Sequence, residues 1–268
     1  MGDAARMCTP GNGTIDEASI AAPAPDRGAA GPAADPALVA DLVTANRILF
    51  NQGVLDAFGH VSVRHDKDPT RFLCARNMAP GLVTADDIVE FGADGEPVNA
   101  RGRAVYLERF IHSEIFRARP DVMSVVHSHS MAVIPFGLVK GFSFRAVTHM
   151  GSFIGTCAPV FEIRDAVGDD NDLLISSPKL GAALAKSLGD STVVLMRGHG
   201  STAVGNSLKQ AVFRAVYTEQ NARVLSEALR IGPVTGLSEG ETVTATRTID
   251  GQSTRAWDLW KLRAEGKV

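Results

Sequence analysis

The chain has 268 residues, 45% of them hydrophobic, enough to bury one large core and to hold one active site. A formal net charge of −3 and the lack of any Lys or Arg run exclude the basic stripe that nucleic-acid binding requires. Cys8, Cys74 and Cys157 stand at no metal-like spacing, no apolar run approaches the roughly 20 residues of a membrane span, and no leader pattern opens the chain, so the expected location is the cytoplasm.

Residues 1–35 are rich in Ala, Gly, Pro and Asp and poor in large apolar side chains, which predicts a disordered tail ahead of a catalytic domain over 36–268. Leu38, Val39, Leu42, Val43, Ile48 and Leu49 recur at helical spacing and predict a first helix ending near Gly53. A hairpin is expected from the alternating residues 60–64 and the apolar run 71–75, then a helix start at 84–87, a strand over 88–91 and a turn at Asp94-Gly95. A helix over 106–118 stops before Pro120 and carries Glu108. Residues 122–126 read as a buried strand leading into His127-Ser128-His129, and 132–136 as a short helix. Further strands are expected over 144–148, 159–163 and 192–196, helices over 178–188 and 207–230, a weak strand over 241–249 and a last short helix bearing Trp257 and Trp260. Mixed elements without a strict alternating rhythm predict a three-layer α/β fold, not a doubly wound sheet.

Four residues at the ends of these elements suggest chemistry. His127 and His129 sit two apart at the end of an apolar strand, on one face at a period of two. His199 follows another apolar strand, within Arg197-Gly198-His199-Gly200, where the glycines allow a sharp turn. Three neutral imidazoles with an open position suit a catalytic divalent ion, with Glu108 able to complete the set. Packing alone is a poor explanation for four such residues, because buried imidazoles without partners are costly. His65 and His112 lack this support and read as solvated or hydrogen-bonded residues, and Tyr217 reads as packing.

Taken together, Gly59-His60-Val61-Ser62-Val63-Arg64, Leu107-Glu108-Arg109-Phe110-Ile111-His112, Arg119-Pro120-Asp121, Val125-Val126-His127-Ser128-His129, Cys157-Ala158-Pro159 and Gly198-His199-Gly200 resemble the class II aldolase/adducin family over about residues 36–229. The resemblance implies a central, mainly antiparallel sheet flanked by helices (α/β/α), and a homotetramer with active sites at subunit interfaces. It also implies one divalent ion per subunit (Zn favoured; Fe, Mn, Co or Mg as alternatives) on His127, His129, His199 and Glu108, with Glu108 acting in acid/base chemistry. Where phosphosugar members grip phosphate, this chain has Phe58-Gly59-His60 and Tyr106-Leu107. A phosphate there loses charge-assisted hydrogen bonds worth roughly 1.5 to 3 kcal/mol each. The sequence thus looks more like the aromatic-acid decarboxylases of the family, acting on a dihydroxyphthalate-like or ring-cleavage dienoic carboxylic acid. His60, Arg64 and Tyr106 are the candidate substrate contacts, and His149 takes the place of a neighbouring subunit's proton donor. Three other readings stay open: an aldolase or epimerase of an unphosphorylated hydroxy-acid or sugar acid, a non-haem iron oxygenase, and an adducin-like scaffold without chemistry.

Overall fold

The computed structural model describes residues 31–268; the greater part of the expected tail, 1–30, lies outside the described residues. The described chain runs α1 (Pro36–Asn51), β1 (His60–Arg64), β2 (Phe72–Ala75), β3 (Ile88–Phe91), α2 (Arg109–Ala118), β4 (Ser124–Ser128), α3 (Ile134–Leu138), β5 (Val160–Phe161), α4 (Arg164–Val167), α5 (Pro178–Leu188), β6 (Val193–Met196), β7 (Gly200–Gly205), α6 (Leu208–Ile231), α7 (Glu239–Asp250) and α8 (Ser253–Ala264). The seven strands form one sheet in the order β3-β2-β1-β4-β7-β6-β5. Every pairing is antiparallel except β5 with β6. The mainly antiparallel sheet between two helical layers is the architecture the sequence suggests.

Alternation along the strands divides the core in two. Val61, Val63, Val126, Val193 and Ala203 face one way and pack with residues of α1, α6 and α8. Val125, Val194 and Val204 face the other way, with Ile111 and Ile115 of α2 and Leu180 and Leu184 of α5. Because His127 is two residues from Val125, it emerges on the α2 side, and so do its register partners His60 and Thr202. The first helix is fixed at its start by Asp35, whose side chain accepts from Ala37 N, and by Pro36 in the first turn.

Several local expectations need correction. The helix expected from residue 106 begins at Arg109, and Glu108 is its N-cap residue, outside the helical ladder. Residues 84–87 form only a 3-10 turn, closed by a reciprocal capping box between Thr84 and Asp87. No strand forms over 144–148: this extended segment exchanges backbone hydrogen bonds with the neighbouring loop, Ala146 N to Gly155 O and Ala158 N to Phe144 O. The segment 241–249 is helical, within α7, and β7 appears where no strand was expected. Among the described residues, no helix is long and apolar enough to cross a membrane.

Candidate metal centre

Four elements meet at the His127 end of the sheet. β4 supplies His127, the chain just beyond it supplies His129, the β6–β7 turn supplies His199, and the N-cap of α2 supplies Glu108. Two glycines make this approach feasible. Gly59 has φ +86°, and a Cβ there would lie 2.6 Å from Leu55 Cδ2 and 2.9 Å from the His127 carbonyl oxygen. A Cβ on Gly200 would run into the Ser128 carbonyl of the paired strand, so only glycine lets the His199 turn close onto β4.

The three imidazoles present Nε2 atoms to one another, 3.1 Å apart for His127 and His129 and 3.0 Å apart for His129 and His199. Glu108 Oε2 lies 3.5 Å from the Nε2 of both His127 and His199, and one potential ligand atom from each of the four residues falls within 4.8 Å of the others. Its other oxygen, Oε1, accepts the Ile175 backbone N–H at 3.0 Å, which fixes the carboxylate plane. Glu108 and His127 are buried.

This cluster fits a divalent ion better than it fits a hydrogen-bonded network. Nitrogens bound tetrahedrally to zinc at 2.0–2.1 Å stand about 3.3 Å from one another, close to the spacing seen here. Electrostatics agree with the fit. Burial pushes the His127 and His129 imidazoles below their ordinary range, His129 to about 4, and keeps them neutral. Burial alone would raise the Glu108 carboxyl, but the adjacent His127 and His199 outweigh it and hold that group well below the usual carboxylate range. Neutral imidazoles and an ionised carboxylate are the states in which these groups bind metal.

Beside the cluster opens a cavity of about 370 Å³, lined among others by Phe58, His60, Met78, Tyr106, Leu107 and His129. Neither Lys nor Arg is among its lining residues. The His60 ring lies 4.6 Å from that of Tyr106 and 5.1 Å from that of His127. Tyr106 donates its hydroxyl hydrogen to Met78 O at 2.6 Å, and burial pushes its phenol up, so it is a neutral wall residue.

Two expected site residues lie elsewhere. Arg64 is on the same strand face as His60 but four residues on, roughly 13 Å away at the rise of a strand. Its guanidinium is committed to backbone carbonyls of Val122, Pro69, Phe116 and Arg119. The expectation that Arg64 contacts substrate is therefore corrected: its donors are already used to tie β1 to the end of α2. Within one chain His149 does not join the cluster; it opens a 3-10 turn (His149–Ile154) and lines two other cavities, of about 670 and 500 Å³, with residues of α7 and α8. Tyr217 packs against Phe213 and Trp260.

Sequence reasoning passed over the support beneath the cluster. His112 is wholly buried, not solvated, with Nε2 2.6 Å from His60 Nδ1 and Nδ1 2.6 Å from Ser62 Oγ. The signal was present in the spacing, since His112 follows Glu108 by four residues and Ser62 follows His60 by two. His65 is also buried, its Nδ1 accepting from the Lys67 and Asp68 backbone N–H groups.

Decarboxylase tropJ of Talaromyces stipitatus is 40% identical to this chain over 251 residues, covering 85% of the chain and 94% of that protein. The 3,4-dihydroxyphthalate decarboxylase of Terrabacter sp. is 32% identical over 205 residues, covering 72% and 81%. Among solved structures, the L-fuculose 1-phosphate aldolase from Glaciozyma antarctica PI12 superposes with a TM-score of 0.71 at 21% identity, over 88% of this chain and 96% of that one, a likeness of fold. The Class II Aldolase and Adducin N-terminal domain matches residues 40–226, and the chain belongs to that family.

Proposed function

We propose that this chain is a metal-dependent carboxy-lyase that removes carbon dioxide from a hydroxylated aromatic or dienoic carboxylic acid. The observation that carries the reading is the cavity beside the four-ligand cluster, whose apolar and aromatic walls hold no cationic side chain for a phosphate. Similarity to decarboxylases over most of the chain supports it. Zinc is the favoured ion, and a cytoplasmic homotetramer with interfacial sites belongs to the same proposal.

An ion on His127, His129, His199 and Glu108 would supply Lewis-acid stabilisation of the negative charge that develops on oxygen as a C–C bond breaks. The protein supplies the rest. Met78 and Leu107 give an apolar ring or diene its contact, Phe58 stands at the solvent edge of the cavity, and Tyr106 and His60 form its aromatic wall. Glu108 keeps one oxygen on Ile175 N, leaving Oε2 facing the imidazoles, where it either completes the ligand set or, released from it, takes a hydroxyl proton. On cleavage the bonding electrons stay on the substrate carbon, carbon dioxide leaves, and a proton must reach that carbon. His149 of a neighbouring copy is the proposed donor.

The test is a panel of hydroxylated aromatic acids incubated under nitrogen with protein of known metal content. One carbon dioxide per product is expected from the wild type, with metal and turnover lost together in His199→Ala. An aldehyde product without carbon dioxide would favour the aldolase reading, and a requirement for oxygen the oxygenase reading. Stoichiometric metal and full turnover in His199→Ala would sink the site assignment.

A further inference from the structure

Beneath the cavity a line of three polar side chains leads away from the cluster. β1 alternates, so His60 and Ser62 both face α2, and α2 sets His112 between them. His112 and Ser62 are each 0% exposed, so every hydrogen in this line must find an acceptor inside the protein. Among the described residues, the Ser62 hydroxyl has one partner, His112 Nδ1. That decides the direction. The hydroxyl donates to Nδ1, which leaves the His112 proton on Nε2, and Nε2 donates to His60 Nδ1. His60 then carries its own proton on Nε2, the nitrogen without a partner among the described residues, on a side chain that lines the cavity. Running the line backwards would strand the Ser62 hydrogen in a dry site. A doubly protonated His112 would bury a cation with no carboxylate in hydrogen-bond contact among the described residues.

We propose that His112, ordered by Ser62, is a positioning residue that locks His60 as an Nε2–H donor for a carboxylate or enolate oxygen of a substrate in this cavity. The proposal rests on reading the cavity as the substrate site. A neutral N–H matches a singly charged oxygen better than a phosphate dianion, in keeping with walls that carry no Lys or Arg. A free histidine side chain is a mixture of tautomers, and its Nδ1–H form would meet that oxygen with a lone pair. The buried line removes the unproductive form before substrate arrives.

The experiment uses the full-length, Zn²⁺-loaded, ¹⁵N-labelled chain. Long-range ¹H–¹⁵N correlations read the protonation of each imidazole nitrogen, and loss of signals in His60→Gln assigns that ring. A protonated Nε2 and an acceptor Nδ1 are expected on His60, becoming mixed or reversed in Ser62→Ala and His112→Leu. With salicylate as probe, His112→Leu is expected to bind about tenfold more weakly at unchanged zinc stoichiometry. His112→Gln, whose amide nitrogen can donate where Nε2 stood, should recover most of that affinity. A wild-type His60 protonated on Nδ1, or a glutamine variant as weak as the leucine variant, overturns the proposal. The tautomer is read without turnover, so a protein that releases no carbon dioxide yet shows protonated Nε2 sinks the decarboxylase reading alone.

Discussion

Arg64 illustrates how a residue can look functional and be structural. Its Nε donates to Val122 O at 3.1 Å, one terminal nitrogen to Pro69 O at 2.8 Å and the other to Phe116 O at 2.9 Å and Val122 O at 3.0 Å. The planar head also lies 4.8 Å from the centre of the Phe116 ring. Lysine cannot reproduce this fork, because a single ammonium lacks the spread of donors. Arg64→Met is therefore expected to lower unfolding free energy by about 1–3 kcal/mol, the cost of leaving buried carbonyls unpaired, with metal content and substrate KM unchanged. Urea denaturation together with metal analysis checks this. A raised KM at wild-type stability would return Arg64 to the substrate site.

At the level of elements, the centre depends on how closely β7 lies on β4. The added methyl in Gly200→Ala would push against the Ser128 carbonyl, and backbone cannot yield as a flexible side chain can. A loss of about 1–3 kcal/mol is expected, with weaker metal binding because His199 and His129 are displaced relative to each other. Gly240→Ala, in α7 with no atom near the new methyl, should instead stabilise by about 0.5–1 kcal/mol. Equal thermal shifts for the two variants would contradict this account of Gly200. The same closeness explains why β7 was illegible in the sequence. Gly200-Ser201-Thr202-Ala203-Val204-Gly205 is small because β4 and α6 press on it: a Cβ on Gly205 would meet Ala211 N at 2.5 Å. A strand made small by its neighbours lacks the bulky apolar run by which strands are found. In α7 the opposite error arose. Thr242, Thr244, Thr246 and Thr248 alternate like a strand, but the Ser238–Glu241 capping box and packing against the 3-10 turn prevail over that preference. The four proposed ligands, by contrast, are readable because each stands at a strong pattern: apolar runs end at the histidines, and Arg119-Pro120 closes the helix that Glu108 opens.

Across the whole molecule, the centre makes the fold sensitive to acid. His60, His112, His127 and His129 are all held below the ordinary imidazole range, first by burial; neighbouring imidazoles lower them further, while Glu108 draws each partly back up. His112 is the clearest case, pushed down to about 3 with no direct hydrogen bond to a proposed ligand. In the unfolded chain an imidazole takes a proton below about 6.5, whereas folded His112 stays neutral until about 3. Between those values the unfolded state binds more protons, so stability falls as pH falls. Glu108, held low, adds to the same trend only in stronger acid, below the ordinary carboxylate value. The metal-free protein is thus expected to lose thermal stability steadily from pH 6.5 to 4. Zn²⁺ should raise Tm at neutral pH by mass action and lose that effect as protons compete for the imidazoles. Calorimetry at a series of pH values, with and without Zn²⁺, reads both trends. In His112→Leu the metal-free slope should be shallower, because one proton-refusing group has gone. A metal-free Tm that stays level from pH 7 to 4, or a leucine variant with the wild-type slope, would mean that these rings do not set the acid limit of the fold.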